Sequence, residues 1–120
     1  MSPSQTIEIK TDEEMILATL QCTRMEDEHA QAMQTEVLAA AEQASSLPVV
    51  LDMSKVKMLP SLSIGALVTL LQKFKQDGRR FMLAGLQPKA RETLTVCRLD
   101  KLFEICDNLD ETLSRIRQSS

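Results

Sequence analysis

Two short runs, Val49-Val50-Leu51 and Phe81-Met82-Leu83-Ala84, are apolar without a break. A strand with one wet face alternates apolar and polar residues, whereas a strand covered on both faces does not. Each run therefore reads as a central strand of a sheet packed on both sides. Between them the period changes. Ile64, Leu67, Val68, Leu71 and Phe74 form the stripe of an amphipathic helix that begins near Ser63. Gly78 follows where such a helix takes its C-terminal cap. Strand, helix and strand in that order form a parallel crossover, which is right-handed and sets the two strands in one sheet.

The rest of the chain extends this pattern. Residues 6–10 alternate, with Ile7 and Ile9 on one face, and residues 15–21 read as a second strand. The polar stretch 11–14 between them makes a hairpin turn. Residues 24–28 are a polar break. Over 28–44, Ala30, Met33, Val37, Ala40 or Ala41, and Ala44 stripe a helix, which Ser45-Ser46-Leu47-Pro48 stops. Residues 54–62 read as a connection, and 81–86 as a buried strand. Pro88 suits the first turn of a helix with Ala90, Leu94 and Cys97 on its inner face. Residues 102–105 read as a short strand. Asn108 is the expected N-cap of a last helix striped by Leu109, Leu113 and Ile116. The order ββαβαβαβα predicts an α/β fold: a mixed, mostly parallel sheet of about five strands with about four helices. A chain of 120 residues fits one domain, 1–120.

The chemistry-bearing residues are sparse. The net charge of -3 argues against direct binding of nucleic acid. Tyr and Trp are absent, which removes the usual base-stacking platforms. No apolar run is long enough to insert in a membrane, and the start of the chain has no secretory pattern. Cys22, Cys97 and Cys106 show no CxxC spacing and read as buried or half-buried thiols in a reducing cytoplasm. His29 is the only histidine and reads as a solvated helix residue, not a general base. Gly65, Gly78 and Gly85 are too far apart to cradle a phosphate. The residues therefore call for no enzyme activity, metal or cofactor. Ligand sites in such sheets collect beyond the carboxyl ends of strands, which directs attention to the loop after Asp52. There Ser61 and Ser63 put two hydroxyls before an apolar helix, as caps or as an anion-binding position.

Residues 49–103 resemble the core of STAS domains, especially the bacterial anti-sigma-factor antagonists. The resemblance is carried by Val50-Leu51-Asp52-Met53-Ser54, then Val56 and Met58-Leu59, then Pro60, Ser61, Leu62 and Ser63, and then Ile64-Gly65-Ala66-Leu67. Gly78, the strand 81–86, Pro88, Leu94 and residues 99–103 continue it without gaps, and the ββα start agrees. Ser61 falls on the position phosphorylated in that family, with Ser63 as a second candidate. The family's preceding acid is Pro60 here, and its following Ser-Gly is Leu62-Ser63. The resemblance implies a non-enzymatic regulator that binds an anti-sigma factor, often a serine kinase, in a partner switch. It implies a partner surface at Asp52, Lys57, Pro60, Ser61, Leu62 and Ser63. Two other readings stay open. One is a STAS subunit of a transporter or another complex. The other is a small-ligand or nucleotide-sensing STAS domain without phosphorylation. The oligomeric state is not readable from the sequence.

Overall fold

The computed structural model describes residues 6–44 and 46–118. Ser45, part of the expected helix stop, lies outside them, as do residues 1–5. Five strands lie side by side in chain order: β1 (Ile7–Thr11), β2 (Ile16–Leu20), β3 (Val49–Asp52), β4 (Phe81–Ala84) and β5 (Glu104–Cys106). β1 and β2 form the expected antiparallel hairpin, and β2 to β5 run parallel. Asp12 shapes the hairpin turn by accepting the amides of Glu14 and Met15 at 2.7 and 3.0 Å. The two apolar runs are neighbours in register, Val49 opposite Phe81 and Leu51 opposite Leu83.

Four helices cover the sheet: α1 (Asp27–Gln43), α2 (Ser61–Gln76), α3 (Pro88–Val96) and α4 (Leu109–Gln118). Successive right-handed crossovers between adjacent parallel strands leave α1, α2 and α3 on one face. Their inward residues Met33, Val37, Leu67, Leu70, Phe74, Ala90 and Leu94 share one core with Ile16, Ala18, Val49 and Leu51. The opposite face carries a smaller core, where Leu109, Leu113 and Ile116 of α4 pack on Met15, Val50, Met82 and Cys106. This two-sided burial is why residues 49–51 of β3 and all of β4 are apolar. α1 has no basic residue in its last turn. Arg79 supplies the cap from outside, donating to the carbonyls of Ala41, Ala44 and Leu47 at 2.9, 3.0 and 3.2 Å.

Three local expectations are corrected. α2 begins at Ser61, two residues before the apolar period suggested, because the Pro60 carbonyl already accepts the amides of Ser63 and Ile64. Cys97 is exposed instead of facing inward. α3 ends there in a Schellman turn: Arg98 takes the left-handed conformation (φ 61°), and the Leu99 amide reaches back to the Leu94 carbonyl at 2.8 Å. Leu99 then fills the inward place that Cys97 would have held. Leu102 lies in the turn before β5, 59% exposed, and the strand starts at Glu104 instead. Gly78 ends α2 as expected, with φ 69° and the matching Arg79-to-Phe74 bond of 2.8 Å.

Glu104 joins β4, β5 and α4. Its carboxylate accepts from Arg80 at 2.8 Å and lies 3.6 Å from Arg115. The Arg80 hydrogen bond, reinforced by the charges of Arg80 and Arg115, holds this carboxyl below the usual glutamate range. A carboxyl lowered by folding stabilises the fold above its unfolded value of about 4.3. That contribution is lost as pH falls through the lowered folded value. We expect Glu104→Gln to destabilise the protein at neutral pH. The gap to wild type, measured by urea denaturation, should narrow as pH drops below about 4. A gap independent of pH would contradict this role.

Candidate functional site

The loop between β3 and α2 is fastened at both ends. The Asp52 carboxylate accepts the Ser54 amide at 3.0 Å, closing a turn at the strand end. The Gln87 side chain donates to the Ser54 carbonyl at 2.7 Å. Further along, the amides of Lys57 and Met58 donate to the Thr23 carbonyl, and the Met25 amide donates to the Met58 carbonyl. Met25 is fully buried and anchors this zipper from within what reads as a polar break. Val56 and Leu59 turn inward while Lys57 and Met58 stay exposed. The loop is therefore a rigid platform that aims the start of α2.

That start presents two different serines. Ser61, the first residue of α2, is exposed, and among the described residues its hydroxyl has no hydrogen-bond partner. Ser63 is fully buried, and its hydroxyl donates to the Pro60 carbonyl at 2.6 Å. That bond lets a polar residue occupy an inward position of the helix. Leu62 projects outward, 64% exposed, with Met58 39% exposed on the preceding loop. Pro60 provides no side-chain cap, and the first turn of α2 carries no acid. The helix dipole there is left uncompensated by α2 itself.

Ser61 and Leu62 form one wall of an open groove of about 490 Å³ between α1 and α2. Gly65, Ala66 and Thr69 continue that wall, and Asp27, Ala30, Gln31 and Gln34 form the other. None of these α1 residues is expected at the site from the sequence, where Ala30 reads only as core. Their only signal is a spacing that lays Asp27, Gln31 and Gln34 along one side of a helix. Gly65 is exposed in the middle of α2, and a Cβ built there would meet nothing within 4 Å.

Asp52 belongs elsewhere. With Ser54, Gly85, Asp107, Asn108 and Asp110 it lines a separate depression of about 420 Å³ beyond the carboxyl ends of β3, β4 and β5. The six residues expected at the partner surface are thus divided. Ser61 and Leu62 face the groove, Pro60 adjoins it, and Lys57 stands exposed on the loop. Ser63 is interior, and Asp52 holds the loop turn. Among the described residues no group of three or more His, Cys, Asp or Glu could hold a metal ion. Cys22 and Cys106 are buried, and burial pushes the Cys22 thiol upward. His29 is half-buried, and its Nδ1 accepts the Glu26 amide at 2.9 Å, capping α1. No helix among the described residues is long and apolar enough to cross a membrane.

Comparison with known proteins agrees with this architecture. A Thermotoga maritima protein whose name proposes it as an anti-sigma factor antagonist is 28% identical over 68 residues. That alignment takes in 57% of this chain and 60% of the relative's length. The anti-sigma-factor antagonist (STAS) domain protein of Planctomyces limnophilus superposes with a TM-score of 0.83 at 21% identity, over 92% of this chain and 97% of that one. The anti-sigma factor antagonist SpoIIAA in its unphosphorylated form gives 0.79 at 12% identity, over 93% and 96%. At these identities the two structures speak for the fold alone. The STAS domain family model matches residues 8–112, nearly the whole chain, and the protein belongs to the STAS domain family.

Proposed function

We propose that the protein is a regulatory binding protein, an anti-sigma factor antagonist, that engages an anti-sigma factor through the start of α2 and the α1–α2 groove. The names of its relatives support the class of function. The observation that carries the choice of surface is Gly65. A glycine inside a helix costs about 1 kcal/mol relative to alanine. Nothing within the domain requires the missing side chain, because the space above Gly65 is empty. A bare backbone there is useful to something that approaches from outside. The exposed Leu62 and Met58 beside it supply the apolar contact that anchors such interfaces.

Ser61 is the proposed control point. A partner kinase would transfer the terminal phosphoryl group of ATP to the Ser61 oxygen: the bond to ADP breaks, the Ser O–P bond forms, and the hydroxyl proton leaves to a base of the kinase. The phosphate adds about two negative charges at neutral pH. The free N-terminal turn of α2 tolerates them. A closely docked partner would not. The control then needs no refolding of the domain.

Titration of the anti-sigma factor with two variants tests the surface. Gly65→Ala should raise the thermal midpoint of the free protein while weakening binding, since it improves the helix and fills the groove. Lys57→Glu should change the affinity several-fold, by about 0.5–1 kcal/mol, whereas Lys10→Glu on β1 should not. Unchanged binding by both Gly65→Ala and Lys57→Glu would place the interface elsewhere.

A further inference from the structure

We propose that this protein self-associates head to tail, the outer face of α1 in one copy docking on the far end of α3 in the next. Charge is unevenly distributed over the helix layer. α1 carries four acids and no base, whereas residues 88–102 carry four bases and two acids. The two regions sit at opposite edges. α1 packs over β1 and β2 and against α2, while α3 is the crossover from β4 to β5 at the other end of the sheet. One copy cannot bring its own α1 to its own α3, but a second copy can.

The internal ion pairs leave α1 and most of the α3 end unused. Surface charges elsewhere are matched at short range, as in Arg117 with Glu14 and Arg80 with Glu104, and of the four bases in 88–102 Arg91 is paired, with Asp107 at 3.5 Å. Among the described residues, no acid of α1 has a basic partner, and Lys89, Arg98 and Lys101 have no acidic one. The apolar surface is complementary as well. The α3 end exposes Val96 at 76% and Leu102 at 59%, the first and third most exposed of the large apolar side chains. The outermost ridge of α1 exposes Gln31, Thr35 and Ala39 between Glu28 and Glu42, and carries no large apolar side chain of its own. Large apolar residues among bases thus face a ridge that is small at Thr35 and Ala39 and flanked by acids. Because the two patches differ, the contact is heterologous and repeats from copy to copy instead of closing as a symmetric pair.

Sedimentation velocity of the full chain tests this. At low salt, where the Debye length is about 30 Å, the weight-average mass should rise with concentration beyond two copies, and higher salt should reverse it. Ala39→Arg sets a like charge against the bases of the α3 end and Val96→Glu sets one against the acids of α1, and both positions are exposed, so both variants should fold. Each variant alone should associate at least about tenfold more weakly than wild type, the loss expected from a like charge at an interface centre. Mixed in equal amounts, they retain one unaltered pairing, the Ala39 face of Val96→Glu on the Val96 end of Ala39→Arg, and should associate more strongly than either variant alone. A wild type that stays monomeric, or that stops at a symmetric dimer, would overturn the proposal. So would association untouched by either variant, or a mixture that forms no complex. The first of those results would leave the α3 end for an acidic partner of another sequence.

Discussion

Leu67→Ala should destabilise the protein by about 2–5 kcal/mol, measured by urea denaturation with intact signal at the native baseline. Leu67 lies fully buried on the inward stripe of α2, in the same core as Leu51, Leu70 and Phe74. Truncation removes the transfer free energy of its side chain and leaves a cavity that a helix pinned at both ends cannot close. The Pro60 carbonyl fixes the start of α2 and the Gly78 turn fixes its end. A domain of this size is stabilised by about 5–15 kcal/mol, so the loss is a large share of the total. Leu62→Ala, five residues earlier and 64% exposed, is the control and should cost less than about 0.5 kcal/mol. A cost for Leu67→Ala below about half a kcal/mol would refute the packing described for α2.

Replacing Ser61 by Asp should weaken binding of the anti-sigma factor by about 1–3 kcal/mol, roughly 5- to 150-fold. The position makes the measurement clean. Ser61 is exposed, and the first turn of α2 has no acid, so a carboxylate there suits the helix dipole and should not destabilise the free domain. Weaker binding with unchanged or raised stability therefore reports the interface and not the fold. In the same system, ATP and the partner kinase should add one phosphate to wild type and none to Ser61→Ala. Ser63→Ala should still accept the phosphate, because its hydroxyl is already bonded inside the domain. It should instead lose about 1 kcal/mol of stability with that bond. Phosphorylation of Ser61→Ala at the wild-type level, or unaltered binding by Ser61→Asp, would refute the switch.

The groove has a separate electrostatic logic from the depression that holds Asp52. In the depression Asp107 and Asp110 add acid beyond the strand ends. In the groove Asp27 is the one charged residue among those lining it, set opposite the positive end of α2. A negative group added at Ser61 changes the balance of the groove more than that of the depression.

The order and kind of the elements are legible in the residues alone. Unbroken apolar runs have one stable use, a strand packed on both faces, and β3 and β4 lie side by side with Val49 opposite Phe81 as that requires. The stripe ending at Gly78 located α2, because many helices stop on a residue at positive φ and glycine adopts it without strain. The folded chain alone settles the places where a side chain answers to atoms brought near it by the turns and loops. Cys97 keeps the helical period yet faces solvent, because the Schellman turn hands its inward place to Leu99. Met25 reads as part of a polar break and is buried, because its backbone is zipped to Met58 in another loop. Ser63 reads as a cap or anion-binding hydroxyl before the helix and is interior to it, because the Pro60 carbonyl satisfies its hydroxyl. The groove joins residues 27–34 to residues 61–69, two helices that come together only when the crossovers place them on the same face of the sheet.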